Sequence, residues 1–489
     1  MNKIDYFLDV EKKYNLYDKT VEGVNFWNYG RFKLWNYNIC ASGLNLTKSH
    51  TAEFKSFFDA IKKAFGLLGR LGSNLSVPKE KTKILFVSHE RRVKSGSVYE
   101  CAYTSSIAGC FDKESVTLEA PYEGSHFSPI PEKKRMYLDF IVLGGKIHSF
   151  LQKKVLKKHY KKIRSEVSNE IKDAVKDLQD YYGWGADLNS VSGFFADYII
   201  LYEYEFKRIK KLVKKINPEL VIESVGYGRS RMMINEIGKE LGIKTIELQH
   251  GTIYENHAAY QFNTENEIKQ FPDYVFTFSD FWKRRMNAPV PDDNIISVGY
   301  PFFERSVKKY SSNEKDNSKV TILFISQGTI GKQLSEVALQ LRKLLPDNYR
   351  MIYKLHPDEY IMWETTYKDL ISLGGIEIIH SSEKSLYEMF SISDVQIGVY
   401  STAIYEGLGF NLKTLICKIG HYEEMKCLVD EGYAQFVGSA EEAQSIIENF
   451  GNNTGSGSSL EENPFYVTDS LNNCIKSINE ILKENSKIS

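Results

Sequence analysis

Short apolar runs that end in polar or small residues recur along the chain. The first covers 83–88, Lys-Ile-Leu-Phe-Val-Ser, and a polar loop at 89–100 follows it. Runs of this length between polar loops predict buried strands of a parallel sheet. The pattern repeats at 220–223, 244–248, 273–278 and 295–299. Residues 229–241 predict a helix stopped by Gly242, and Ser279 is placed to cap another. Residues 150–216 read as two or three long helices. A second alternating series begins at 320, with strands at 320–326, 350–355, 376–379, 395–399 and 413–417. Residues 452–463 read as a loop, and 467–485 as an amphipathic helix.

Alternation of this kind predicts an α/β protein with two doubly wound halves. Residues 306–319 carry only Val307 and Tyr310 as large apolar groups and are the best linker. The expected organisation is a helical N-terminal extension at 1–80, an N-terminal Rossmann-like domain at 81–305 and the linker at 306–319. A C-terminal Rossmann-like domain at 320–466 and a final helix at 467–489 complete it. Within the extension, 53–71 places Phe54, Phe57, Phe58, Ile61, Phe65 and Leu68 at helical spacing. The basic stretch 153–164 reads as part of one helix, as a solvated face or, less commonly, a contact to anionic lipid or polymer.

The 489 residues suit two or three domains. Lys plus Arg and Asp plus Glu both number 63, so no global field draws nucleic acid. The six cysteines form no CxxC pair and read as free thiols in a reducing cytoplasm, with no metal site expected. Neither a secretory leader nor a membrane span is expected.

Ligands of open α/β sheets bind beyond the carboxyl ends of the strands. The residues there are His89-Glu90, Gln249-His250-Gly251, Ser326-Gln327-Gly328-Thr329, His356-Pro357 and Tyr400-Ser401-Thr402. Ser401 and Thr402 stand at a helix start, suited to a phosphate or to plain capping. Glu406, one turn on, reads as a ribose ligand or a local partner. Pro357 biases His356 towards extended backbone, and its ring can donate to a phosphate. Gln327, Gly328 and Thr329 suit close approach to a diphosphate. A Walker loop is absent, and Arg231 stands where a dinucleotide fingerprint after Gly226 and Gly228 needs glycine.

The ordered set QHG (249–251), GYP (299–301), SQG (326–328), KLHP (354–357) and YSTAIYEGLGFNLKT (400–414) resembles GT-B glycosyltransferases of bacterial surface-polysaccharide assembly. It is most similar to the CMP-sugar-dependent sialyltransferase and polysialyltransferase-like group. The resemblance implies two Rossmann-like domains facing across a cleft. His356 would contact the nucleotide, and Ser401 and Thr402 its phosphate. The family's acidic pair before a glycine is reduced here to Tyr122-Glu123-Gly124, so the base stays open among Glu100, Glu90, Glu123 and His250.

The implied activity is metal-independent transfer of an acidic sugar from a CMP-linked donor to a capsule or lipopolysaccharide acceptor, with no further cofactor. Transfer needs a base for the acceptor hydroxyl and donors for the departing phosphate. Gln249, Gly251, His257 and Arg229, with Arg231, read as substrate ligands or as structural groups. The expected partners are the nucleotide sugar and a glycan or lipid-linked glycan. The expected location is the cytoplasm, with peripheral contact at the inner membrane face as an added reading. The alternatives are a CDP-alditol phosphotransferase, a UDP-sugar epimerase of GT-B fold, which would carry several acids at its site, and a non-catalytic glycan- or protein-binding module.

Overall fold

The computed structural model describes residues 3–36, 82–122, 124–311, 315, 318–381, 383–450 and 463–488. The expected amphipathic helix 53–71 and Glu123 lie outside the described residues. The chain divides into two compact units, one of residues 1–277, 282–298 and 471–489, the other of 278–281 and 299–470.

The first unit is built on seven parallel strands. These are β1 (Ile84–Val87), β4 (Ser115–Glu119), β5 (Arg135–Tyr137), β6 (Leu220–Ser224), β7 (Lys244–Leu248), β8 (Tyr274–Thr277) and β9 (Ile295–Ser297). Their order is β5-β4-β1-β6-β7-β8-β9, so the direction of winding reverses between β1 and β6. The expected loop 89–100 is instead a hairpin of β2 (Val93–Ser95) and β3 (Val98–Glu100), turned at Gly96 with φ +60°. Alternation across only three residues per strand is too brief to register as a pattern.

Helices Asp139–Lys154, Lys157–Tyr182 and Leu188–Ile216 follow β5. The basic stretch 153–164 is therefore not continuous helix, because Val155 and Leu156 interrupt it. Helices Asp5–Lys13 and Phe26–Leu34 are built into this unit's core, where Phe7, Phe26, Trp27 and Trp35 are fully buried. Arg31 is buried with them. Its Nε donates to Glu11 Oε1 at 2.6 Å, its Nη2 to Glu11 Oε2 at 2.6 Å and to Gln261 O at 2.9 Å, and its Nη1 to Ala258 O. The C-terminal helix Ser470–Ile488 packs Cys474, Ile478 and Ile481 with Ile84, Phe86, Leu220 and Ile246.

The second unit holds β10 (Val320–Ile325), β11 (Tyr349–Lys354), β12 (Ile376–Ile379), β13 (Val395–Gly398), β14 (Lys413–Cys417) and β15 (Gln435–Val437). All are parallel, in the order β12-β11-β10-β13-β14-β15, with the reversal between β10 and β13. Residues 306–310 of the expected linker are the end of helix Pro301–Tyr310, where Pro301 starts the helix at a position that needs no N–H. Among the described residues, no helix is long and apolar enough to cross a membrane.

Candidate functional site

At a reversal point the loops of two neighbouring strands diverge to opposite faces and leave a crevice. In the first unit Arg231 crosses that point. It starts from helix Arg229–Leu241, donates through Nη2 to Ser88 O at 2.8 Å, and pairs through Nη1 with Glu90. This pair holds the Glu90 carboxyl below its ordinary range against the opposing effect of burial. Glu90 is thus an ion-pair partner near neutrality, which leaves it a poor proton acceptor. Arg231 replaces the glycine of a dinucleotide fingerprint, and its side chain occupies the crevice itself.

One strand further on, two acids sit side by side inside the sheet. Glu223 on β6 pairs in register with Glu247 on β7, and both are buried. Glu223 Oε1 accepts from Asn235 Nδ2 at 2.9 Å, while its Oε2 has no hydrogen-bond partner among the described residues. Burial and the neighbouring Glu247 push the Glu223 carboxyl up to about 8. Glu247 Oε1 accepts from Gly226 N and from Tyr260 Oη, each at 2.8 Å. Burial outweighs those bonds and raises its carboxyl to about 7. A Cβ on Gly226 would stand 2.5 Å from Glu247 Oε2, so a side chain here would push that carboxyl aside. The preceding Val225 has φ +60°, a left-handed conformation that a β-branched residue rarely adopts. Strain of this sort is concentrated where geometry is held for function.

His250 lies at the end of β7. Its Nε2 is hydrogen-bonded with Tyr227 Oη at 2.9 Å, and its Nδ1 is 3.7 Å from Glu247 Oε1 without a hydrogen bond. Burial, reinforced by the His89 and His257 rings and Arg231 nearby, keeps the ring neutral, well below its ordinary pKa. His257 is also buried, stacks on Phe32, and is pushed down to about 4 by desolvation. Tyr227 packs against Phe32 with ring centroids 4.3 Å apart. A cavity of about 30 Å³ beside these groups is lined by Phe32, Gly226, Tyr227, Glu247 and Ala259 among others. It is large enough for a water molecule.

The remaining expected groups of this unit are held elsewhere. Arg229 is engaged by Glu205, to which its Nε and Nη2 donate at 2.9 and 3.0 Å. Glu100, expected in the polar loop 89–100, is buried at the end of β3. Gln249 is buried and donates to Gly251 O at 2.8 Å, which shapes the turn after β7.

In the second unit the reversal point is bridged by side-chain amide and hydroxyl. Gln327 Nε2, after β10, donates to Tyr400 O after β13 at 2.6 Å, and Thr329 Oγ1 bonds Tyr400 Oη. Gly328 is open, since a Cβ there would meet only Asp358 Cβ at 3.9 Å. The glycine under steric demand is Gly331, where a Cβ would collide with Glu359 and Tyr367. His356 caps the short 3-10 helix Pro357–Glu359. Its Nδ1 accepts from Asp358 N at 3.2 Å, and its own N–H donates to Glu359 Oε2 at 2.6 Å. Asp358 Oδ2 also lies 3.3 Å from Nδ1, and with the proton on Nε2 that atom is a donor. Ser401 Oγ accepts from Ala403 N at 3.3 Å, as a cap of helix Thr402–Leu408. Glu406 is half-buried and bonded by Tyr387, and desolvation raises it to about 7.

Glu223 and Glu247 were not singled out from the sequence, although each is an acid inside an apolar strand run. That is the signal that marks them, because a carboxylate buried in a parallel sheet costs several kcal/mol unless something holds it. Among the described residues, no group of three or more His, Cys, Asp or Glu is arranged to hold a metal ion.

No family model matches this chain, and no curated protein matches it in sequence. Solved structures do match. A candidate UDP-N-acetylglucosamine 2-epimerase from Listeria monocytogenes superposes with a TM-score of 0.52 at 10% identity, over 83% of this chain and 98% of the other. The UDP-GlcNAc 2-epimerase of Methanocaldococcus jannaschii, solved with UDP-GlcNAc and UDP, gives 0.50 at 11% identity, over 82% and 99%. At such identities the likeness is one of fold, and with the two parallel sheets it establishes an α/β protein of GT-B type.

Proposed function

We propose that this chain is an enzyme acting on a nucleotide sugar, and that its reaction is epimerisation of a UDP-linked sugar. The observation that carries this reading is the buried pair Glu223 and Glu247, raised to about 8 and about 7. Inverting a sugar carbon that bears hydrogen by proton exchange removes a proton from one face and returns one to the other. Glu223 and Glu247 are neighbours inside one sheet and wholly buried, so they would serve as a proton reservoir on one side of the carbon, relayed by a group at the strand end, and a second group would act on the other face. Neutral His250, bonded to Tyr227 and close to Glu247, is the group at the strand end through which the pair would act. Glu90, paired with Arg231, is assigned a positioning role. The fold shared with two UDP-sugar epimerases supports the substrate class.

A second reading is sugar transfer from a CMP-linked donor to a capsule or lipopolysaccharide acceptor. The ordered motifs 354–357 and 400–414, which resemble those of CMP-sugar transferases, support it, and the His356 ring and the Ser401 hydroxyl stand after the strands where a phosphate of either donor would bind. Both readings use the nucleotide sugar as the only small molecule, with no further cofactor.

One experiment separates them. The chain is incubated in deuterated water with UDP-N-acetylglucosamine and no acceptor, and the sugar is followed by proton NMR. Epimerisation by proton exchange yields a second isomer with deuterium at the inverted carbon. Unchanged, unlabelled UDP-N-acetylglucosamine, with CMP-sialic acid consumed only when a glycan acceptor is added, refutes the epimerase and supports transfer.

A further inference from the structure

The junction of two long helices presents a combination that the site above does not use. Helix Asp139–Lys154 stops and helix Lys157–Tyr182 starts around Val155 and Leu156, which are 63% and 56% exposed. The backbone there is satisfied, with Val155 N and Leu156 N both donating to Leu151 O at 2.9 and 2.8 Å. The two apolar side chains are therefore displayed by a well-formed turn. Between 153 and 164 the chain holds six Lys, one Arg and no acid. Lys154, Lys157, Lys158 and Lys161 are exposed around the turn.

Among the described residues, the acids that bond to this stretch from the next helix are already committed. Asp197 accepts from Lys153 at 2.7 Å and from Tyr160 at 3.0 Å, and Glu203 bonds His159 at 2.8 Å. Among the described residues, a chain with balanced charge thus concentrates uncompensated positive charge at one corner, with two exposed apolar side chains at its centre. Lysines alone would suit any polyanion. Val155 and Leu156 gain nothing from a hydrated polyanion, but they gain from entering the headgroup boundary of a bilayer.

We infer that the corner formed by Lys154, Val155, Leu156, Lys157, Lys158 and Lys161 docks on an anionic lipid surface. The lysines meet the headgroups, and the apolar pair enters the interface. Two weak signals together give stable attachment where either alone is marginal. The inference is independent of which sugar reaction the chain performs.

The test uses the full chain, sedimented with vesicles of phosphatidylcholine alone or with one-third phosphatidylglycerol. Binding is expected to the anionic vesicles only, and should fall steeply between about 50 and about 500 mM salt. Lys157→Gln and Lys158→Gln should each weaken it about 5-fold. Val155→Ser with Leu156→Ser should weaken it about 10-fold or more, with the melting curve unchanged. Absence of binding to anionic vesicles, or equal binding to both kinds, overturns the inference. So does anionic-vesicle binding that all these substitutions leave intact, since the contact then lies elsewhere on the chain. Dextran sulfate serves as a soluble polyanion. If it competes for the corner and the serine pair changes neither binding, the occupant is a soluble polyanion and the lipid assignment fails.

Discussion

Glu223→Gln isolates the most unusual group in the first unit. In the folded chain Glu223 keeps its proton up to about pH 8, against 4.5 for an ordinary glutamic acid. The folded state therefore binds the extra proton between those values, and stability must fall as pH rises through that window. One linked proton is worth about 1.4 kcal/mol per pH unit, hence about 5 kcal/mol by pH 8. Glutamine keeps the shape and the acceptor for Asn235 Nδ2, and it carries no charge at any pH. The variant should match the wild type near pH 5 and exceed it by about 5 kcal/mol at pH 8. At roughly 2 °C per kcal/mol for a unit of this size, the melting temperatures should separate by about 10 °C. Urea titrations and thermal melts at half-unit steps from pH 5 to pH 8.5 measure this directly. If the two pH profiles run parallel to within about 1 kcal/mol, Glu223 ionises in the folded chain as it does in the unfolded one. Glu223 then carries no exchangeable proton near neutrality, and the epimerase reading loses its support. If Glu223 also serves the reaction, the same variant gains stability while losing turnover.

Three further outcomes follow from the geometry. Arg229→Ala leaves Glu205 buried without its partner and should cost about 3 kcal/mol in urea denaturation, with nucleotide affinity unchanged; weakened nucleotide binding with intact stability would show instead that Arg229 is a ligand. Gly226→Ala forces a Cβ against Glu247 and should cost about 1–3 kcal/mol, read from the melting transition, and a neutral result would mean that the β6 turn relaxes freely. His356→Ala, and Ser401→Ala combined with Thr402→Ala, should each weaken nucleotide binding about 10- to 150-fold in titration calorimetry, and unchanged affinity in both removes the phosphate assignment in the second unit.

Most strands of the two sheets were legible because each is an apolar run long enough to stand out. β1, β6, β7, β10, β11, β13 and β14 all lie within a residue or two of their expected bounds. β5, β15 and the β2–β3 hairpin were not, because each strand spans three residues and carries charge or polar groups. β4, Ser115–Glu119, was also missed, since alternating polar residues hid a strand that is buried throughout. The strand-end residues of the second unit were legible as a set, because each follows directly on its strand.

What the sequence by itself determined is periodicity: which segments pair as parallel strands, and which polar residues stand at their carboxyl ends. Those properties depend on neighbours in the chain. The tertiary structure alone decided which of these groups meet. Arg231 reaches Ser88 across 143 positions, which consumes both Arg231 and Glu90. Arg229 is spent on Glu205, and Arg31 ties the N-terminal helices to the segment that carries His257. Glu223 and Glu247 look like ordinary acids in sequence. Their carboxyls are raised because the fold holds both away from water, where a carboxylate is costly and a carboxylic acid is not, and for Glu223 also because register sets Glu247 beside it.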